Sequence, residues 1–166
     1  MTTTRTKPAP GREALLPLVG KWHTEGAQLE GPLGPAAAFV AVETFEWLDG
    51  GHFLVHRMDG RFGKQPAACV EILGKDAQGL FAQTYYNDGN VNQWRIEQHS
   101  SERLVLTGEW PSGSATPFKV RCTLSFIEAG NVLDGKWEQA QGGAEWQVFL
   151  EARSTRALPL PNTSVG

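Results

Sequence analysis

Phe118-Lys119-Val120-Arg121-Cys122-Thr123-Leu124-Ser125-Phe126 alternates apolar and polar side chains without a break. A period of two sets one group on each face of a β-strand, whereas a helix repeats near 3.6. After Ala129-Gly130-Asn131 the apolar row resumes as Leu133, Gly135 and Trp137. After Gly142-Gly143 it resumes as Trp146, Val148 and Leu150. Hairpin pairing carries a face across each turn, so these residues are expected on one buried side. Lys136, Glu138, Glu145, Gln147 and Glu151 fall on the other, towards solvent.

The same punctuation recurs upstream. Asp49-Gly50-Gly51, Asp76-Ala77-Gln78-Gly79 and Asn87-Asp88-Gly89-Asn90 supply residues that tolerate positive φ, which is hairpin chemistry. The spacing predicts strands near 20–28, 38–48, 51–59, 67–75, 79–87, 91–98, 102–110, 117–127, 131–139 and 144–153. One short helix is expected at Arg12–Leu18, limited by Pro17. With so little helix a βαβ fold is excluded. A meander of about ten strands must hide its edges, and a closed barrel does so. A two-sheet sandwich is the alternative, but the short hairpin connections favour closure. The expected fold is therefore all-β, an antiparallel up-and-down β-barrel of residues 12–156 with a short N-terminal helix. Residues 1–11 and 157–166 read as disordered tails.

Composition narrows the function classes. The 166 residues are 40% apolar and 20% charged, enough for a single packed domain. No apolar run approaches the ~18 residues of a membrane helix, and MTTTRTKPAPG lacks the apolar core of a secretory signal. A cytoplasmic protein with no membrane partner is expected. A net charge of -3 argues against a nucleic-acid partner. Cys69 and Cys122 lack zinc-ligand spacing; Cys122 is read as inward and Cys69 as outward, both as inert thiols. No metal site, phosphate-binding Gly loop or Gly-x-Ser-x-Gly motif is found.

Two further rows supply candidate site residues. Val70, Ile72, Phe81, Gln83, Tyr85, Asn92, Trp94 and Ile96 are read as inward, and Glu71, Thr84, Gln93, Arg95 and Glu97 as outward. The hairpin at Asp49-Gly50-Gly51 is ambiguous. The face with Phe39, Glu43, Phe45, Trp47, His52, Leu54, His56 and Met58 carries more aromatic area and is read as inward. Glu43 and His56 then lie within side-chain reach across the hairpin.

The segment Leu18-Val19-Gly20-Lys21-Trp22 with Gly26, then Phe45-Glu46-Trp47-Leu48-Asp49-Gly50-Gly51-His52-Phe53-Leu54-Val55-His56-Arg57, resembles bacterial lipocalin-like proteins of the calycin group. Asp88-Gly89, Gly135-Lys136-Trp137-Glu138 and Trp146 extend the likeness over most of the chain. The resemblance implies that Trp22, in a Gly-x-Trp signature, plugs one end of the barrel under a stacked arginine, Arg153 or Arg156. It is also similar, more distantly, to the nitrobindins, which implies haem held by a histidine on the last strand. Here residues 144–153 contain no histidine, which leaves His52 or His56 as the candidates for iron.

Three functions follow. The leading one is binding of a small apolar or aromatic molecule, with Trp47, His52, Leu54, Gln83, Tyr85, Trp94, Trp137 and Trp146 as lining and no cofactor. The second is a barrel enzyme (an isomerase, cyclase or lyase) on a hydrophobic metabolite, with His56 as acid/base and Glu43 orienting it. The third is haem or gas binding. A homodimer is a candidate assembly, although no strong apolar outer patch stands out in the rows as read.

Overall fold

The computed structural model describes residues 6–110 and 116–160. Ten strands form a closed antiparallel barrel, each paired with its neighbour in sequence and the first with the last. They are β1 (Gly20–Gln28), β2 (Ala37–Trp47), β3 (Leu54–Phe62), β4 (Gln65–Asp76), β5 (Gly79–Tyr86), β6 (Val91–Ser100), β7 (Arg103–Trp110), β8 (Phe118–Ile127), β9 (Val132–Gln141) and β10 (Gln147–Arg156). The expected helix is a 3-10 helix, Glu13–Leu18. Six residues with Pro17 inside them are too few to propagate an α-helix. No helix among the described residues is long and apolar enough to cross a membrane.

The plug is built from the chain entering β1. Leu15 and Leu18 of the 3-10 helix are fully buried in the core, and Trp22 lies beside them. The Trp22 indole N–H donates to Leu18 O at 2.8 Å. Arg156 lies 4.1 Å from the Trp22 ring, a cation–π stack. Its guanidinium donates to the carbonyls of Val19 (2.5 Å), Pro17 (2.8 Å) and Gly130 (3.1 and 3.2 Å). The structure thus settles the stacking arginine as Arg156; Arg153 points outward into a two-point ion pair with Asp134. Gly20 makes room for this stack. Its φ is +133° and a Cβ there would stand 2.7 Å from Arg156 Nη1.

The expected tails are partly tied down. Ala9 is buried and its N–H donates to Gly51 O. Leu160 N–H donates to Asn131 Oδ1. Residues 1–5 and 161–166 of those tails lie outside the described residues.

Three inward assignments are corrected by register. The turn after β5 joins Tyr86 to Asn90, and Thr84 pairs with Asn92. An odd number of residues lies between that pair, so Asn92, Trp94 and Ile96 share the interior with Thr84 and Glu71. Gln83, Tyr85, Val70 and Ile72 face out. Cys69 moves inward with Glu71, and both cysteines are buried and free. On β10, Val148 pairs with Glu138 but Leu150 with Trp137, leaving Phe149 as an extra, bulged residue. The bulge keeps Leu150 inside and turns Val148 and Trp146 out. Finally, β3 starts at Leu54 rather than residue 51, because Leu48 N–H donates to Phe53 O across a longer connection. His52 sits in that connection, exposed, not on an inward strand face.

Candidate functional site

A chain of side-chain hydrogen bonds crosses seven consecutive strands of the barrel interior. Ser154 on β10 and Thr24 on β1 are register partners, with hydroxyls 2.7 Å apart. Thr24 Oγ1 donates to Glu43 Oε1 on β2 at 2.5 Å. Glu43 Oε2 lies 2.7 Å from His56 Nε2 on β3, and His56 Nδ1 lies 3.2 Å from Glu71 Oε1 on β4. Thr84 on β5 donates to Glu71 Oε2, and the indole N–H of Trp94 on β6 donates to Thr84 Oγ1 at 3.0 Å. Every polar atom of the Glu43–His56–Glu71 triad thereby has a partner, as burial demands. Phe45, directly opposite His56 in register, stacks parallel to the imidazole at 4.0 Å.

Burial alone would drive His56 towards its neutral form. The two carboxylates on its two nitrogens outweigh this and raise its pKa to about 9. For Glu43 the desolvation cost is likewise exceeded, by the hydrogen bonds and charge of His56 and by Thr24, and its pKa is lowered. Burial, reinforced by Glu71 and Glu43, pushes the Cys69 thiol up to about 12 and the Cys122 thiol upward too. Both thiols are expected to ignore a thiol reagent such as Ellman's at pH 8 and to react only after guanidinium unfolding, counted as two thiols released.

Beyond the belt, away from the plug, the interior wall is aromatic. Phe39 stacks on Phe62 at 4.6 Å, and Trp110 makes edge contacts with Trp94 at 6.0 Å and Phe149 at 5.5 Å. The Asn92 amide, in its better-satisfied orientation, accepts from the Trp110 indole N–H. Met58, Phe62, Tyr86 and Trp110 point inward here yet remain partly accessible. No Lys or Arg faces inward in this half among the described residues. A separate shallow hollow of about 830 Å³ lies on the outer surface, where Glu25, Arg103, Arg121, Lys136, Glu138 and Arg153 contribute to a wall of mixed charge.

Of the residues expected to form a site, the structure brings Glu43, His56 and Trp94 into the belt. Leu54 is fully buried towards the plug. Trp47 packs against the same core, with an indole nitrogen that is buried and unpaired among the described residues. Trp137 faces inward, packed over Gly135. His52, Gln83, Tyr85 and Trp146 stay outside: Gln83 donates to the Tyr85 hydroxyl, and Arg121 stacks on Trp146 at 4.4 Å. Glu71, Thr84, Thr24 and Ser154 were not anticipated. The signal for Glu71 was present, because a two-residue Gly63-Lys64 turn puts it directly opposite His56.

The histidines do not fit the haem expectation. His23, His52 and His99 are exposed, and both nitrogens of His56 are engaged by carboxylates.

Comparisons place the chain among known proteins. The barrel is similar to the crystal structure of Rv2717c from M. tuberculosis, with a TM-score of 0.62, 16% identity and coverage of 90% of this chain and 99% of that one. At that identity the likeness concerns the fold alone. No curated protein matches the sequence. A family profile does match, over residues 7–156, and the chain accordingly belongs to the family described as protein of unknown function DUF1579.

Proposed function

We propose that the protein holds a small, mostly apolar or aromatic molecule in the half of the barrel beyond the polar belt. The observation that carries this is the set of inward aromatic and thioether side chains left partly accessible there, while the other end is plugged. The belt sets the charge of the occupant. Its two contacts to His56 need two protons among three groups, so the triad carries a net charge of -1 wherever those protons reside. With no Lys or Arg facing into this half among the described residues, a carboxylate or sulfonate guest is disfavoured, and the occupant is neutral or cationic.

The enzyme reading has the 2.7 Å Glu43–His56 contact in its favour. A general base, however, needs a free nitrogen lone pair, and His56 offers none while it bridges two carboxylates. Binding is the reading the geometry favours.

Two fluorescent probes of similar shape test it. Neutral N-phenyl-1-naphthylamine should bind and brighten, and anionic anilinonaphthalene sulfonate should bind at least about tenfold more weakly, a difference of ~1.4 kcal/mol. Met58→Trp, which fills the accessible half, should weaken the neutral probe by a similar factor with the circular dichroism unchanged. Failure of both probes, with identical native and denaturing masses, would overturn the proposal.

A further inference from the structure

The register that turns Val70, Ile72, Gln83 and Tyr85 outward leaves an unusual surface. Five successive outward positions on β4 are Pro66, Ala68, Val70, Ile72 and Gly74, without one polar side chain. Gly74 lets two rings lie across this strand; a Cβ there would stand 2.8 Å from Phe53 and 3.2 Å from Phe81. Phe53 is 39% exposed and Tyr85 46% exposed. The opposite outer wall, on β7–β10 and β1, is by contrast a lattice of charges such as Arg153–Asp134 and Arg121–Glu138.

We propose that this outward face of β3, β4 and β5 is a homodimer interface that seats a second copy of the chain. The rows are self-complementary. Arg57, Val70 and Tyr85 form one cross-strand row, Val55, Ile72 and Gln83 the next, and Gly74 pairs with Phe81 beside Phe53 in the third. A two-fold axis lying in the interface along β4 lays β3 of one copy over β5 of the other. Phe53 then meets the partner's Phe81, Ile72 meets the partner's Ile72, and the one cation of these rows, Arg57, meets the aromatic face of the partner's Tyr85. Within these three rows no charge is buried without a partner of suitable chemistry, and Asp59 and Arg61 lie beyond them along β3. Three strands at ~4.8 Å and five residues at ~3.4 Å give a footprint of about 14 by 17 Å. That is smaller than the ~800 Å² per partner of a standard interface, so the dimer is weak and concentration-dependent.

The test is light scattering coupled to size exclusion at increasing loading concentration. The mass should climb from the 18.1 kDa of one chain towards twice that value. Ile72→Glu, which sets two like charges against each other across the axis, should hold it at one chain with unchanged circular dichroism. Ile72→Cys should be joined into a covalent dimer by a short bismaleimide, since the native thiols are buried. A chain that stays monomeric at every concentration overturns the proposal. So does a dimer that Ile72→Glu leaves intact, or one in which Ile72→Cys is not cross-linked.

Discussion

Replacing His56 with Ala should destabilise the barrel by roughly 3–5 kcal/mol, the usual cost of leaving buried charge without its counter-ion. The unfolding midpoint should fall by about 10 °C for a chain of this size. Glu43 and Glu71 would face each other with no cation between them, and Phe45 would lose its stacking partner. The pH dependence makes the cause identifiable. In the native protein His56 binds its proton more tightly than in the unfolded chain, about 9 against 6.5. Its stabilisation, on the order of 3 kcal/mol, is therefore complete below about pH 6.5 and is lost as pH rises through 9. Glu43 has a lowered pKa, so its share is present above the ordinary carboxylate range and is lost as pH falls. In His56→Ala the alkaline loss should vanish, and stability should instead improve towards pH 5 as a stranded carboxylate takes a proton. Replacing the whole triad with Glu43→Met, His56→Phe and Glu71→Met should recover much of the loss. Chemical denaturation from pH 4 to 10 would decide, and an unchanged alkaline limb in His56→Ala would remove the triad from this account.

Arg156→Ala should be comparably severe, about 3 kcal/mol or more. The guanidinium closes the plug through the Trp22 stack and the carbonyls of Pro17, Val19 and Gly130, and Arg156 is almost fully buried. Truncation leaves buried acceptors without donors, which costs ~1–3 kcal/mol apiece where water cannot reach them. Arg156→Lys should rescue little, because an ammonium cannot stack flat on the indole while reaching three diverging carbonyls. Near-ultraviolet circular dichroism of the Trp22 environment, followed with thermal unfolding, reads both effects. A lysine variant as stable as the native protein would contradict the stacking argument.

The barrel itself was legible because β8 and β9 alternate cleanly and their turn preserves the alternation from Phe126 to Leu133. The plug was legible through Gly20, Trp22 and a late arginine. The inner face of β4 and β5 was not. Its outward row, Val70, Ile72, Phe81 and Tyr85, is more apolar than its inward row, Cys69, Glu71, Ala82 and Thr84. Hydropathy there points the wrong way, and the faces are assigned by register alone: the two-residue turn at Gly63-Lys64 and the odd spacing across the turn after Tyr86. The belt was therefore read in part: Glu43 and His56 were paired, and Glu71 was assigned to solvent. Trp146 was misplaced for a related reason, since a single bulged residue at Phe149 inverts the faces of the residues that lead into it. In both places one residue of register outweighs several residues of composition.

The seam between β1 and β10 has a consequence for the order in which this molecule can come into being. Trp22 pairs with Arg156, the very last residue of the sheet, and Thr24 with Ser154. During synthesis the first strand leaves the ribosome with no partner on one side until β10 has emerged. The plug waits for Arg156 and the belt for Ser154, so neither of them can be finished early. A nascent chain halted anywhere before β10 presents two raw sheet edges, β1 and β9, which are templates for pairing with other chains. Closure of the ring is thus a late, long-range event, and the stability of the barrel is withheld until its final strand arrives.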